Sequence, residues 1–472
     1  MASSLGPNSG LSPLELELFE RDLGSAVAVA LEAKLILGAV ALLTPVLLVA
    51  AAMLARRKRL VASVLAAALL AGMFFWLPVR IGSLLGRLNP TSSLAPLPAS
   101  SSARAQALFG SAFVADFHAD SLLWPRDILA SDPGAPVGHV DVPRMISGNV
   151  ALQGFTIVTR VPSPMSFEHN EEPSPAKDPV LLLSLVQGWP LQSLDLFSLA
   201  PRVFSQCAKL HAAAARSHGR LRVIRFREDL LAYQEERAAA QRAAGAPPPF
   251  TAGYLGIEGM QALDGRLENV DLFFDAGVRT MGLAHFYDNE AAGSQHGSQK
   301  GGLTEFGRAV IRRMNDLHML VDLAHASSRS IADVCELTDA GSPHPLIVSH
   351  AGIHALCPNS RNLHDDQIRC VARSGGIVAV AFFRPAICGV DELQAIVAAI
   401  KYVRDLVGID HVGFGSDFDG SVRVPFDVSR LVLVADALLD AGFSDDEVRA
   451  VIGGNQLALF SRYFPSSHSH IA

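Results

Sequence analysis

The 472-residue chain is short of charge and of cysteine. Only 18% of its residues are charged while 50% are hydrophobic, a balance on the apolar side for a wholly soluble protein that points to membrane segments. Basic residues are fewer than acidic ones, 39 against 46, and the net charge of −7 argues against a nucleic-acid partner, which favours a basic face. The five cysteines (Cys207, Cys335, Cys357, Cys370 and Cys388) include no CxxC pair. They say little about the redox compartment. At least one is unpaired within the chain, and buried structural thiols are the expected role. No internal repeat of fixed period is present.

The excess of apolar residues sits at the amino end. Residues 35–55 and 60–79 are runs of 21 and 20 residues without a charge, each long enough to cross a hydrocarbon core as a helix. Pro45 and Pro78 do not forbid this. The connector "RRKR" carries four positive charges and marks the turn of a two-helix hairpin. By the positive-inside rule that turn faces the cytoplasm, which puts the amino terminus and everything after Val79 on the far side. A cleaved signal peptide fits poorly, because the runs are too long and too far from the start, and a soluble core hairpin is the weaker alternative for Ala-rich runs of this length. Residues 80–104, rich in Pro, Ser and Ala, read as a mobile linker. The resulting division is an amino-terminal segment at 1–34, a membrane hairpin at 35–79, a linker at 80–104, a catalytic domain at 105–465 and a tail at 466–472.

From residue 112 onward, short β-rich runs alternate with amphipathic stretches. The runs are "FVADFH", "VALQGFTIV", "GYLGIEG", "VRTMGLAH", "MLVDLAH", "PLIVSH", "GIVAVAF" and "HVGFGSD". Between them, "LTEFGRAVIRRMNDLH" places Phe306, Val310, Ile311 and Met314 at helical spacing, with a helix start at Thr304. "AAAQRAAGAPPPF" at 238–250 reads as a helix stopped by proline, an excursion within one domain. Eight near-continuous apolar strands, each followed by a helix-sized segment, predict a (β/α)8 barrel. "RLRVIRF" at 220–226 is a ninth candidate strand, placed outside the barrel because basic residues alternate through it.

In such a barrel, functional side chains gather at the carboxyl ends of the strands. Six of the eight runs end in a group able to bind metal or move protons: His118 with Asp120, then Glu258, His285, His325, His350 and Asp417. One such residue has a dull explanation as a packing or capping group, but six at one rim point to a shared site. Imidazoles and carboxylates without thiolate suit Zn²⁺, with Mn²⁺, Co²⁺ or Fe²⁺ open by ligand chemistry. Three histidines with two carboxylates exceed what one catalytic zinc needs and match two ions sharing a bridging carboxylate, an arrangement suited to hydrolysis.

These residues carry a resemblance. "FHAD", "GIEG", "LAH", "TEFGRAVIRRMNDLHMLVDLAHAS", "LIVSHA", "RNLHDD" and "GFGSDFDG", in that order, resemble the membrane (renal) dipeptidase family of zinc peptidases across most of residues 112–460. The resemblance implies two zinc ions, one held by His118, Asp120 and a bridging Glu258, the other by Glu258, His325 and His350. It implies that His285 steadies the substrate carbonyl, that Arg361 binds the substrate carboxylate and that Asp417 handles protons, Asp419 being the nearby decoy. The substrate class it implies is dipeptides, with tolerance for a D-residue at the carboxyl side. The chain then reads as a bacterial-type member tethered to the membrane, with a homodimer compatible. It departs from the family after Glu258 ("GMQALDG") and after His285 ("FYDNEAAGSQHGS"), so specificity does not carry over. Two other readings stay open. One is another barrel amidohydrolase acting on a small amide, usually marked by HxH on the first strand or a bridging Lys. The other is a metal-free binding protein on the same barrel, which the full ligand set disfavours.

Overall fold

A computed structural model describes residues 88–130, 137–339 and 344–467. The two long apolar runs and most of the tail, residues 468–472, lie outside the described residues, and among the described residues no helix is long and apolar enough to cross a membrane. Nine strands form one parallel sheet: β1 (Val114–Ala119), β2 (Val150–Ile157), β3 (Leu221–Val223), β4 (Thr251–Ile257), β5 (Val278–Gly282), β6 (Leu320–Asp322), β7 (Leu346–Ala351), β8 (Ile377–Val380) and β9 (Val412–Phe414). Eight of them follow the order β1-β2-β4-β5-β6-β7-β8-β9, while β3 pairs only with the first three residues of β4. Beyond β9 the ring closes on β1 through an Ala119–Phe418 bridge and a hydrogen bond from Asp120 N to Phe418 O of 2.9 Å. This is the predicted (β/α)8 barrel, and "RLRVIRF" lies off its eight-strand path.

The strands read as continuous apolar runs because both of their faces are buried. Neighbouring residues of one strand fall into different core clusters. Ala252 and Tyr254 alternate with Leu255 and Ile257, and Ile377 and Ala379 alternate with Val378 and Val380. The helices carry their own signals. Thr304 caps Glu305–Asp316 by accepting from Gly307 N at 3.1 Å, and the helix buries Val310, Ile311 and Met314. Helix Arg227–Ala244 lies against the amino ends of the strands, with Tyr233 Oη donating to Ala151 O at 2.7 Å and Arg237 to Asn149 Oδ1 at 2.7 Å. It ends at Gly245 in the left-handed region (φ 62°), before the prolines are reached.

Two features differ from the sequence reading. Residues 88–102 do not hang as a loose linker but are held on the barrel. Ser92 N donates to Val424 O at 3.0 Å, Leu94 N to Glu392 Oε2 at 3.1 Å and Ser102 Oγ to Asp436 Oδ1 at 2.6 Å. Leu88 packs against Leu123, Trp124, Val180 and Leu183. Four of the cysteines also pair, as Cys335–Cys370 and Cys357–Cys388, leaving Cys207 buried and free. Their separations of 35 and 31 residues leave no local signature, because only the barrel's helices and loops bring the partners together.

Candidate metal centre

β1 supplies His118 from within the strand and Asp120 just beyond it, while Glu258 follows β4 directly. Gly259, at φ 94°, lets the chain turn away at once behind that carboxylate. His325 and Asp417 both adopt left-handed backbone (φ 62° each) where the chain leaves β6 and β9, a strained conformation that gathers at functional sites. His285, His350 and Arg361 complete the rim, all three buried.

Glu258 is the centre of the cluster. Its Oε1 lies 3.3 Å from His118 Nε2, 3.4 Å from His350 Nε2 and 3.6 Å from His325 Nε2. Its Oε2 lies 3.0 Å from His285 Nε2 but without hydrogen-bond geometry, and is left without a partner. His118 Nε2 also faces Asp120 Oδ1 at 3.5 Å and Asp417 Oδ1 at 3.8 Å. Donor atoms converge in three overlapping groups: His118 with Asp120 and Glu258, His118 with His350 and Asp417, and Glu258 with His285 and His325. All the strand-end residues singled out in the sequence are thus brought to one place.

The donor set fits divalent cations. Nε2 of His325 and of His350 face each other at 2.9 Å, two basic nitrogens aimed at one spot. Ser349 Oγ lies 3.3 Å from His118 Nδ1 and 2.9 Å from His350 Nδ1, so the outer nitrogens are occupied and both Nε2 atoms are turned inward. Thr156 Oγ1 donates to Asp120 Oδ1 at 2.6 Å and orients that carboxylate. The electrostatics point the same way. Burial, then the nearby Asp120 carboxylate, pushes Glu258 well above the usual carboxylate range, opposed by His118. Burial lifts Asp417 to about 7 against the pull of His118. His118 is pushed up to about 10, because Glu258, Asp120 and Asp417 together outweigh its burial. His285, His325 and His350 fall well below the imidazole range, first through burial and then through neighbouring cationic groups. Two carboxyls, Glu258 and Asp417, forced towards protonation beside three imidazoles, His285, His325 and His350, forced neutral form a donor set suited to a bound cation.

Arg361 sits beside this cluster and donates to His350 O at 2.7 Å. Among the described residues no carboxylate lies within ion-pair distance of its guanidinium, and nearby Asp365 accepts from Tyr402 Oη at 2.8 Å. Cys357–Cys388 ties the loop bearing Arg361 to the segment after β8. Asp419 is turned elsewhere: its carboxylate accepts from Ser121 Oγ at 2.5 Å, from His139 N at 2.6 Å and from Arg126. Sequence reasoning missed Ser349, Thr156 and buried His296. The last packs its ring 5.1 Å from that of His325 and leaves Nε2 without a partner. Position alone marked Ser349, which immediately precedes His350.

The Membrane dipeptidase (Peptidase family M19) profile matches residues 102–464. A dipeptidase of Aspergillus oryzae is 36% identical over 220 residues, 44% of this chain and 51% of that protein. Dipeptidase 3 of Mus musculus is 30% identical over 227 residues, 44% of this chain and 43% of its own. The chain spans about half the length of these curated relatives. A metallopeptidase of Rhodobacter sphaeroides, solved with a phosphinate mimic of the dipeptide L-Ala-D-Ala, shares the fold with a TM-score of 0.59 at 24% identity, over 75% of this chain and 99% of that one. The barrel, its order of motifs and the extent of the match assign the chain to the membrane dipeptidase family, peptidase family M19.

Proposed function

We propose that this protein is a membrane-tethered binuclear zinc dipeptidase. The observation that carries the reading is the convergence of four imidazoles and three carboxylates on one buried point with Arg361 beside it. His118, Asp120 and Glu258 would hold one ion, and Glu258, His325 and His350 the other. Bound there, two ions supply an activated water and polarisation of the scissile carbonyl. The chain's own residues do the rest. Arg361 grips the carboxylate of a dipeptide, a group that the interior of a longer peptide lacks. His285 donates to the carbonyl oxygen as charge gathers on it. Asp417 takes a proton from the attacking water and delivers it to the leaving amine. A D-residue at the carboxyl side belongs to the proposal, resting on the family resemblance.

The test is metal content measured on the full chain together with amino-acid release from a panel of L,L and L,D dipeptides and their amides. About two ions per chain are expected, with chelation abolishing release and Zn²⁺ or Co²⁺ restoring it. One tightly bound ion with full activity would sink the binuclear reading. Arg361→Ala is expected to raise KM for free dipeptides, because the lost contact serves substrate and transition state alike. Dipeptide amides should be poor substrates for the parent and almost indifferent to that change. Parent enzyme that cuts amides as readily as free dipeptides would favour a general amidohydrolase.

The catalytic barrel is proposed to lie outside the cytoplasm. The RRKR turn supports this, and so do the two disulfides, which persist in oxidising compartments. Alkylation of the denatured chain, acid-trapped from cells, should modify one thiol before reduction, Cys207, and all five after it. Five modified before reduction would place the barrel in a reducing compartment.

A further inference from the structure

The segment between β2 and β3 exposes several large apolar side chains. Leu185, near the end of helix Pro179–Val186, is 57% exposed, Leu191 is 81% exposed and Phe197 is 92% exposed, with Leu196 and half-buried Trp189 between them. Scattered apolar residues on a surface need no explanation, but a run of them within 13 residues of one excursion does. The cluster beneath that helix, Leu123, Trp124, Val180 and Leu183, is the one that Leu88 packs against. Leu88 follows the second apolar run by only eight intervening residues, 80–87. Fully extended, that stretch reaches at most ~30 Å. The place where the chain enters the barrel and the apolar patch therefore share one flank of the molecule.

We propose that this patch docks on the lipid bilayer, with Leu185, Leu191, Leu196 and Phe197 in the interfacial layer and Trp189 at its edge. The proposal rests on the membrane tether proposed above. A tether this short holds the barrel within reach of the bilayer, and interfacial binding grows with the apolar area inserted. Aromatic rings with a polar edge, such as Trp189, favour the headgroup level. Leu196 and Phe197 also line a cavity of about 270 Å³ with Gln261 and Tyr287, from the loops that follow Glu258 and His285. Docking there turns the rim of the metal centre towards the membrane surface and keeps helix Arg227–Ala244, at the opposite end of the strands, in water.

The test uses the full chain in phosphatidylcholine vesicles. Phe197→Cys and, as the control on that far helix, exposed Glu235→Cys are each labelled with an environment-sensitive fluorophore without reduction, since the native cysteines are disulfide-bonded or buried. Lipids brominated near the carbonyl end of their acyl chains should quench the label at position 197 and leave the label at 235 unchanged. Vesicle flotation reads the tether separately. A chain that floats with neither label quenched overturns the docking alone. A floating chain whose 197 labels instead transfer energy between copies also overturns it, in favour of a second copy covering the patch. A chain that stays in the soluble fraction overturns docking and tether together.

Discussion

Asp417→Asn is expected to lower kcat by roughly 10²–10⁴-fold, the usual worth of general acid–base assistance, with KM and metal content nearly unchanged. The amide keeps the shape of the carboxyl group but cannot take up a proton. Several features make Asp417 the residue to carry it. It follows β9 in strained backbone, its Oδ1 lies 3.8 Å from His118 Nε2 and burial lifts its carboxyl towards neutrality. Asp419, two residues on, spends its oxygens on Ser121, His139 and Arg126 and is not free for the task. Steady-state kinetics and metal analysis of the same preparation decide the point. Loss of an ion from the Asn variant would make Asp417 a ligand, as its grouping with His118 and His350 allows, and the proton carrier would have to be sought elsewhere.

Glu258→Ala should be more damaging still, emptying both sites and removing turnover. Three imidazole nitrogens lie within 3.6 Å of its Oε1, whereas the carboxylates of Asp120 and Asp417 face His118, at 3.5 and 3.8 Å. Asp120, held by Thr156, serves one side only. Zinc content by mass spectrometry, with circular dichroism to verify folding, gives the result. A folded Ala variant that retained two ions would show that Glu258 does not bridge them. Because the side chain is buried, Glu258→Gln is the companion variant, keeping the volume while removing the charge.

The barrel was legible because parallel strands covered on both faces must be apolar throughout, and because six of the eight apolar runs stop at a His, Asp or Glu. That stop is the rim itself, which is why His118, Glu258, His325 and His350 could be read one strand at a time. The supports around them could not. Ser349 and Thr156 matter through neighbours that the closed barrel brings close: Ser349 meets His118 from 231 positions away, and Thr156 reaches Asp120 from 36. Small hydroxyl residues carry no signature of such a role. The disulfides failed to show for the same reason, as pairing depends on where helices and loops sit. Residues 88–102 misled because Pro, Ser and Ala without a hydrophobic period describe a loose chain equally well as one pinned through its backbone.

That pinned stretch bears on where the protein can be cut. The family match begins at residue 102, which invites a soluble form starting there. Glu392, only 1% exposed, would then lose Ser93 Oγ and Leu94 N from one carboxylate oxygen and keep Arg423 on the other. Stripping donors from a buried carboxylate costs about 1–3 kcal/mol or more, and Asn89, which accepts from Ser421 N beside the Asp417 turn, would go as well. The natural scissors point is residue 88, so that the whole strap stays with the barrel and only the greasy end is discarded.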